Sequence, residues 1–172
     1  NNNAGVEYFV NAGSTRQAGA EFQLDYVARF SKTHQIQIQA GYAYQPYRFV
    51  QYKQAGVVFN GNALTGNAKH QVASSITYDY KKTASIFVRL QSLSRVPLTD
   101  ANDVYAGSYQ LIQSGISINH LRVRYFLSVN NLLNKSYSLG NDINAAGRRY
   151  YNPSSPRGYM AGISIKMAKY RR

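Results

Sequence analysis

Cysteine is absent from the 172 residues, which excludes disulfides, Cys-ligated zinc, iron–sulfur clusters and thiol nucleophiles. Tryptophan is absent as well, although tyrosine occurs 16 times. Acidic residues are scarce: 7 Asp plus Glu stand against 20 Lys plus Arg, for a formal net charge of +13. The basic residues are scattered and form no run, so the charge points to an anionic neighbour without naming it; nucleic acid, lipopolysaccharide phosphates and anionic ligands would all be attracted. No apolar stretch reaches the ~18 residues of a transmembrane helix. The opening Asn1-Asn2-Asn3-Ala4-Gly5 lacks the basic and apolar regions of a signal peptide, so the expectation is that a signal has been removed or lies upstream.

What is present is an alternation repeated from segment to segment. In Gln35-Ile36-Gln37-Ile38-Gln39-Ala40-Gly41-Tyr42-Ala43-Tyr44, a β-strand would put Ile36, Ile38, Ala40, Tyr42 and Tyr44 on one face and the glutamines on the other. The helical period never appears over a useful window, and Gly, Asn and Ser clusters divide the candidate strands. The fold class expected is all-β, with about eight antiparallel strands matching the ~9 to 11-residue segments of a transmembrane β-barrel.

The first strand is expected from about Gly5 to Asn11, turning at Ala12-Gly13-Ser14 into a second from Ala18 to Ala28. The third is the segment just quoted. Val72, Ile76, Tyr78 and Tyr80 define the fourth; Ala84, Ile86, Val88 and Leu90 the fifth; Ile112, Ile116 and Ile118 the sixth. Leu121, Val123, Tyr125, Leu127 and Val129 make the seventh, and Tyr159, Ala161, Ile163, Ile165 and Met167 the eighth. Short turns at 29–34, 81–83 and 119–120 alternate with long loops at 45–69, 92–107 and 135–157, as in hairpins with one trimmed and one elaborated rim. The short turns would be periplasmic and the long loops extracellular. Tyr42, Tyr44 and Tyr159 then fall near the outer rim of the apolar face, and Tyr26, Tyr78 and Tyr80 near the inner one.

Alternation alone also fits a soluble barrel that keeps the same apolar face inside. Composition favours the membrane: Gln37, Gln39, Gly41, Gln71, Ser75, Thr77, Gln113, Ser117, Ser128, Gly162 and Ser164 make a mostly neutral polar face. Only 16% of the chain is charged, where a soluble surface wants roughly 25 to 35%.

Chemistry finds little purchase. Glu21 and Asp25 share a face but lie ~13 Å apart along a strand, beyond the ~5 to 9.5 Å of a glycosidase pair. His34 and His120 fall in short turns and His70 opens a strand, each without a second ligand at metal spacing. Asp100-Ala101-Asn102-Asp103 lacks the glycine and distal glutamate of a calcium loop. No nucleophile elbow or phosphate-binding glycine loop occurs. Nucleic-acid binding is disfavoured because most tyrosines share faces with Ile, Val and Leu and do not interleave with Lys and Arg. The expectation is a protein that is not an enzyme and carries no cofactor and no catalytic or metal site.

Nearly the whole chain, from Asn11-Ala12-Gly13-Ser14-Thr15 through Gly19-Ala20-Glu21 to the last strand, resembles the C-terminal barrel portion of TonB-dependent outer-membrane receptors. Gly66-Asn67-Ala68-Lys69-His70 is similar to that family's loop-to-strand junction, with Ala68 where proline is common. Asn130-Asn131-Leu132-Leu133-Asn134-Lys135-Ser136-Tyr137 is similar to its late strand-to-loop motif, with Leu133 where phenylalanine is common, and Arg149-Tyr150-Tyr151-Asn152-Pro153 with Pro156-Arg157 to its closing loop. The chain then continues past Met167 into Ala168-Lys169-Tyr170-Arg171-Arg172, where family members usually finish on an aromatic residue.

This resemblance implies that residues 1–172 are the C-terminal part of a larger barrel of about 22 strands, without the plug domain that contacts TonB. It implies a Gram-negative outer-membrane location and TonB-energised import of a ferric siderophore or similar bulky solute. Outer-membrane lipid and lipopolysaccharide would be partners, and nucleic acid would not. Loop residues Tyr47, Arg48, Tyr52, Arg148, Arg149, Tyr150 and Tyr151 would contact the ligand, since guanidinium offers forked donors and tyrosine a flat amphipathic surface. The Asn-Leu-Leu-Asn-Lys segment reads as architectural. A self-contained eight-stranded barrel of structural or adhesive role, and a soluble β-barrel carrier, are the competing readings.

Overall fold

The structure is a computed structural model that describes residues 13–167. The expected first strand, Gly5 to Asn11, and the tail Ala168–Arg172 lie outside the described residues. Twelve strands follow in chain order: β1 Gly13–Arg16, β2 Ala20–Arg29, β3 His34–Tyr44, β4 Arg48–Gln54, β5 Val57–Val58 and β6 His70–Tyr80. Then come β7 Ala84–Leu93, β8 Val96–Pro97, β9 Tyr105–Ala106, β10 Tyr109–His120, β11 Val123–Asn130 and β12 Gly158–Ile165.

Seven of them form one antiparallel sheet in the order β12-β11-β10-β7-β6-β3-β2. Each long strand pairs with the next long strand in the chain, so the sheet is an up-and-down meander. These are the second to eighth strands expected from alternation, with boundaries moved by a few residues.

Register turns seven separate alternations into one surface. Phe22 pairs with Tyr42, which pairs with Val72; Ile86 pairs with both Tyr78 and Ile116, and Ile116 with Leu127. No pairing breaks parity, so the alternating apolar positions of the seven strands form one face, and no Lys, Arg, Asp or Glu interrupts it. The face is uncovered by protein: Phe22 is 60% exposed, Ile76 52% and Ile163 64%. So wide an apolar patch marks contact with something other than water.

The cross-strand row Tyr26–Ile38–Ile76–Val88–Ser114–Val129–Tyr159 starts near the short-turn end of β2 and finishes at the long-loop end of β12. Such a slanting row is the stagger that tilted barrel strands require. It carries Tyr26 toward one rim and Tyr159 toward the other, as their expected places in two aromatic girdles demand.

The core lies in the long loops rather than on either sheet face. Ala68, Val96, Leu98, Ala106 and Tyr150 are buried together, with Leu93, Val104 and Ala145 packed against them.

Three expectations need correction. The segment 45–69 is more than a loop: β4 pairs with β1 on one side and β5 on the other. Its run Arg48-Phe49-Val50-Gln51-Tyr52 is itself a strand sequence, bracketed by Pro46 and by Gly61. Leu121 is not in a strand. His120 pairs with Val123, which leaves Leu121 and Arg122 as a two-residue turn, with Leu121 at φ 54° and 92% exposed. His34 and His120 are a strand's first and last residues and not turn residues.

Phe87 and Phe126 sit on the mostly polar face because each covers a glycine opposite it. Phe87 pairs with Gly115 and Phe126 with Gly162, and a Cβ on either glycine would collide with the ring.

Candidate functional site

The polar face carries a second continuous row. Asp25, Gln39, Ser75, Arg89 and Gln113 stand abreast on five strands. Gln39 Nε2 donates to Asp25 Oδ1 at 2.9 Å, and Gln23 Nε2 to Asp25 Oδ2 at 3.0 Å. Ser75 Oγ donates to Gln39 at 3.3 Å, and Arg89 to Gln113 at 3.4 Å. Both Asp25 oxygens are thus taken by amides, in keeping with a hydrogen-bonding role and against a catalytic pair with Glu21. Asp25 and Arg89 are three strand spacings apart, about 14 Å, longer than the ~8 Å over which exposed charges feel each other at physiological salt. Each charge therefore remains free to meet something placed against this face. A cavity of about 1240 Å³ lies there, reaching from Glu21 to Ser155 and Pro156 of the last long loop.

Above the strand ends, Asp100 ties the three long loops together. Its carboxylate, 6% exposed, accepts from Tyr52 Oη at 2.9 Å and from Thr65 Oγ1. Its carbonyl accepts from Asn62 Nδ2 at 2.7 Å, and its N–H donates to Asn144 Oδ1 at 3.0 Å. Tyr52 also stacks on Phe49, with ring centroids 4.5 Å apart. Burial first, then the hydrogen bond to the Asp100 carboxylate and its charge, hold the Tyr52 hydroxyl above its ordinary value of 10.0. A raised pKa favours the protonated, folded arrangement, and that contribution is complete below pH 10.0 and is lost as pH climbs through the raised value. The Tyr52 ultraviolet titration should accordingly begin above the range of the exposed tyrosines, and Asp100→Asn should bring it down.

Asp103 is held below the usual carboxylate range, chiefly by the Thr99 hydroxyl that donates to it. Asp100 and Asp103 thus have separate loop-bracing roles. Among the described residues no group of three His, Cys, Asp or Glu is placed to hold a metal ion.

The seven loop residues expected at a ligand separate into groups. Tyr150 is buried in the loop core, 8% exposed, and packs rather than presents itself. Tyr52 is committed to Asp100. Arg148 and Arg149 are exposed around the three-residue turn Ala146–Arg148, and Tyr151 is exposed with its hydroxyl donating to the Tyr105 carbonyl at 3.1 Å. Tyr47 and Arg48 line a smaller pocket together with Tyr105, whose carbonyl is the acceptor for Tyr151.

The Asn-Leu-Leu-Asn-Lys element is architectural. Asn131, 6% exposed, donates to the Lys135 carbonyl and accepts from the Lys135 N–H, both at 2.9 Å. Asn134 accepts from the Arg157 N–H at 2.9 Å, joining the two ends of the last long loop.

The sequence also holds a signal that patterning by hydrophobicity passes over. His34-Gln35-Ile36 with Tyr42 and Tyr44 has the spacing of His70-Gln71-Val72 with Tyr78 and Tyr80. Antiparallel pairing of β3 with β6 brings each histidine to the other copy's tyrosines: His34 Nδ1 lies 2.7 Å from Tyr78 Oη, and His70 Nδ1 lies 2.8 Å from Tyr42 Oη. A lysine stands over a tyrosine ring at both ends, Lys81 over Tyr80 at 5.2 Å and Lys69 over Tyr44 at 5.5 Å. These histidines are therefore parts of the two aromatic rims rather than isolated in water.

No family model matches the sequence. Among solved structures, the chain is similar to the siderophore receptor PiuA from Acinetobacter baumannii, with a TM-score of 0.73 at 20% identity over 90% of this chain and 22% of that one. The fold is that of a siderophore-receptor barrel. The ferric yersiniabactin uptake receptor FyuA from Yersinia pestis matches likewise, with a TM-score of 0.67 at 17% identity, over 89% of this chain and 23% of that one. This chain thus spans under a quarter of the siderophore-receptor chains it matches.

Proposed function

We propose that this chain is the C-terminal portion of the barrel of a TonB-dependent outer-membrane receptor that binds a ferric siderophore or similarly bulky scarce solute and imports it with energy delivered through TonB. One observation carries this reading: seven consecutive strands in register keep an uncharged apolar face outward and a hydrogen-bonded polar row inward. A soluble carrier would have to cover the apolar face, which stands open here. Among the described residues, β2 pairs in the seven-stranded sheet with β3 alone and β12 with β11 alone.

On this reading a plug domain, outside this sequence, lies against the Asp25–Gln113 row. Arg148, Arg149 and Tyr151 meet the anionic chelate from the third loop, while Tyr52 and Tyr150 brace the loops that present them. The full-length protein, expressed in a Gram-negative host lacking its own ferric receptors, should restore uptake of one member of a panel of 55Fe-loaded catecholate, hydroxamate and mixed chelates. Uptake should vanish on deleting TonB. Arg148→Ala with Arg149→Ala should weaken binding of that chelate by roughly tenfold or more, the value of one charge-assisted hydrogen bond. Membrane insertion with no TonB-dependent uptake of any chelate would contradict the transport assignment.

A further inference from the structure

The pocket that takes in Tyr47 and Arg48 has about 220 Å³ and lies where β3 ends, β6 begins and the second long loop leaves β7. Arg48, Lys69, His70 and Arg95 line it together with Tyr47 and Tyr105, and none of its lining residues is a carboxylate. Three full positive charges therefore converge on one hollow. What holds them is aromatic and neutral: Arg95 lies 4.5 Å over the Tyr105 ring, Lys69 lies 5.5 Å over Tyr44, and Arg48 donates to the Gly61 carbonyl at 3.4 Å. Ring faces fix the positions of cations without neutralising them. Like charges gathered in this way repel one another until an anion sits between them.

The position of the pocket decides what kind of anion. Tyr42, Tyr44 and His70 occupy the long-loop end of the apolar face, and both Lys69 and His70 lie against the Tyr44 ring. The cations thus stand directly beyond the aromatic rim, on its outward side. Given the membrane-spanning reading on which this assignment rests, that is the level at which acyl tails give way to headgroups. The hollow is also smaller than the roughly 300 to 1,000 Å³ of pockets that enclose drug-sized ligands, and so is ill matched to a bulky ferric chelate. Arginine forks suit phosphate oxygens bidentately, and lysine adds a point charge. We propose that Arg48, Lys69, His70 and Arg95 form a binding site for the phosphate of an outer-leaflet lipid headgroup.

The test uses the full-length protein in phosphatidylcholine nanodiscs doped with either bisphosphorylated or dephosphorylated lipid A, with native mass spectrometry counting the lipid A molecules retained on release. The unaltered protein should retain the phosphorylated form by roughly tenfold or more over the dephosphorylated one, the equivalent of one charge-assisted hydrogen bond. Arg48→Gln, Lys69→Gln and Arg95→Gln together should abolish that preference, whereas Lys81→Gln with Lys82→Gln at the opposite rim should preserve it. Lys69 and Arg95 are exposed, so their single substitutions leave the fold intact and each should lower the preference in part. An undiminished preference for the phosphorylated form in the triple variant, or no preference in the unaltered protein, would overturn the site. Displacement of lipid A by inorganic phosphate at low concentration would show a free-anion site and overturn the lipid assignment. Failure to enter nanodiscs at all would instead refute the membrane reading, and the site with it.

Discussion

Replacing Ile38 with arginine is expected to abolish assembly of the protein into membranes. Ile38 is central in β3 and stands in the outward face between Tyr26 and Ile76. An arginine at the midplane of the lipid face costs about 2 to 4 kcal/mol, a large part of the marginal stability of a folded protein. The neighbouring change, Gln39→Arg, puts the same charge on the polar face beside Asp25 and should assemble normally. Heat-modifiable mobility of the membrane fraction on a denaturing gel distinguishes folded from unfolded barrel in both cases. Equal assembly of the two variants would mean that Ile38 does not meet lipid.

The second large effect is expected at Asn131. Its side chain closes a ring with both backbone groups of Lys135, and its own φ is 50°, a left-handed value. Asn131→Ala removes three hydrogen bonds from a buried position, two to Lys135 and a long one to the Ser155 carbonyl, and leaves a left-handed residue without local side-chain compensation. Together these should cost about 2 to 4 kcal/mol. Asn131→Gly relieves the backbone but not the lost bonds, so it should fall between the alanine variant and the unaltered protein. Urea midpoints of the detergent-folded protein give the order. An alanine variant as stable as the original would show that the Asn-Leu-Leu-Asn-Lys element does not anchor the last long loop.

Most of the sheet was legible in the sequence because strands with two unlike faces write their orientation in period two. Ile36, Ile38, Ala40 and Tyr42 declare a face without help from any partner, and the third to fifth strands were placed nearly as they occur. Leu121 was misread for the same reason: its apolarity continues the alternation of Val123 and Tyr125, but the pairing of His120 with Val123 leaves it no place in the ladder.

Alternation states the face of a residue and not its neighbour across the strand gap. The row joining Asp25, Gln39, Ser75, Arg89 and Gln113 is therefore visible only with the register. The loops were least legible. Tyr150 is as polar-tipped as Tyr151, and only tertiary packing makes one core and the other surface. The run of β4 is a strand sequence, but one of its partners, β1, lies beyond β2 and β3 in the sequence and the other, β5, is only 2 residues long, so no hairpin pattern announces it. The repeat of His, Gln, an aliphatic residue and two tyrosines in β3 and β6 was open to inspection throughout. It is a pattern of residue identity, which a count of apolar positions does not register.

The absence of cysteine permits a direct measurement of which face meets lipid. Nitroxide labels attached through Ile36→Cys, Gln37→Cys, Ile38→Cys and Gln39→Cys, one at a time in the full-length protein reconstituted in bilayers, report collisions with dissolved oxygen and with a water-soluble nickel chelate. Oxygen should dominate at 36 and 38 and its advantage should fall at 37 and 39, alternating residue by residue. The opposite phase, with the isoleucine positions shielded from oxygen and the glutamines facing the bilayer, would contradict the account.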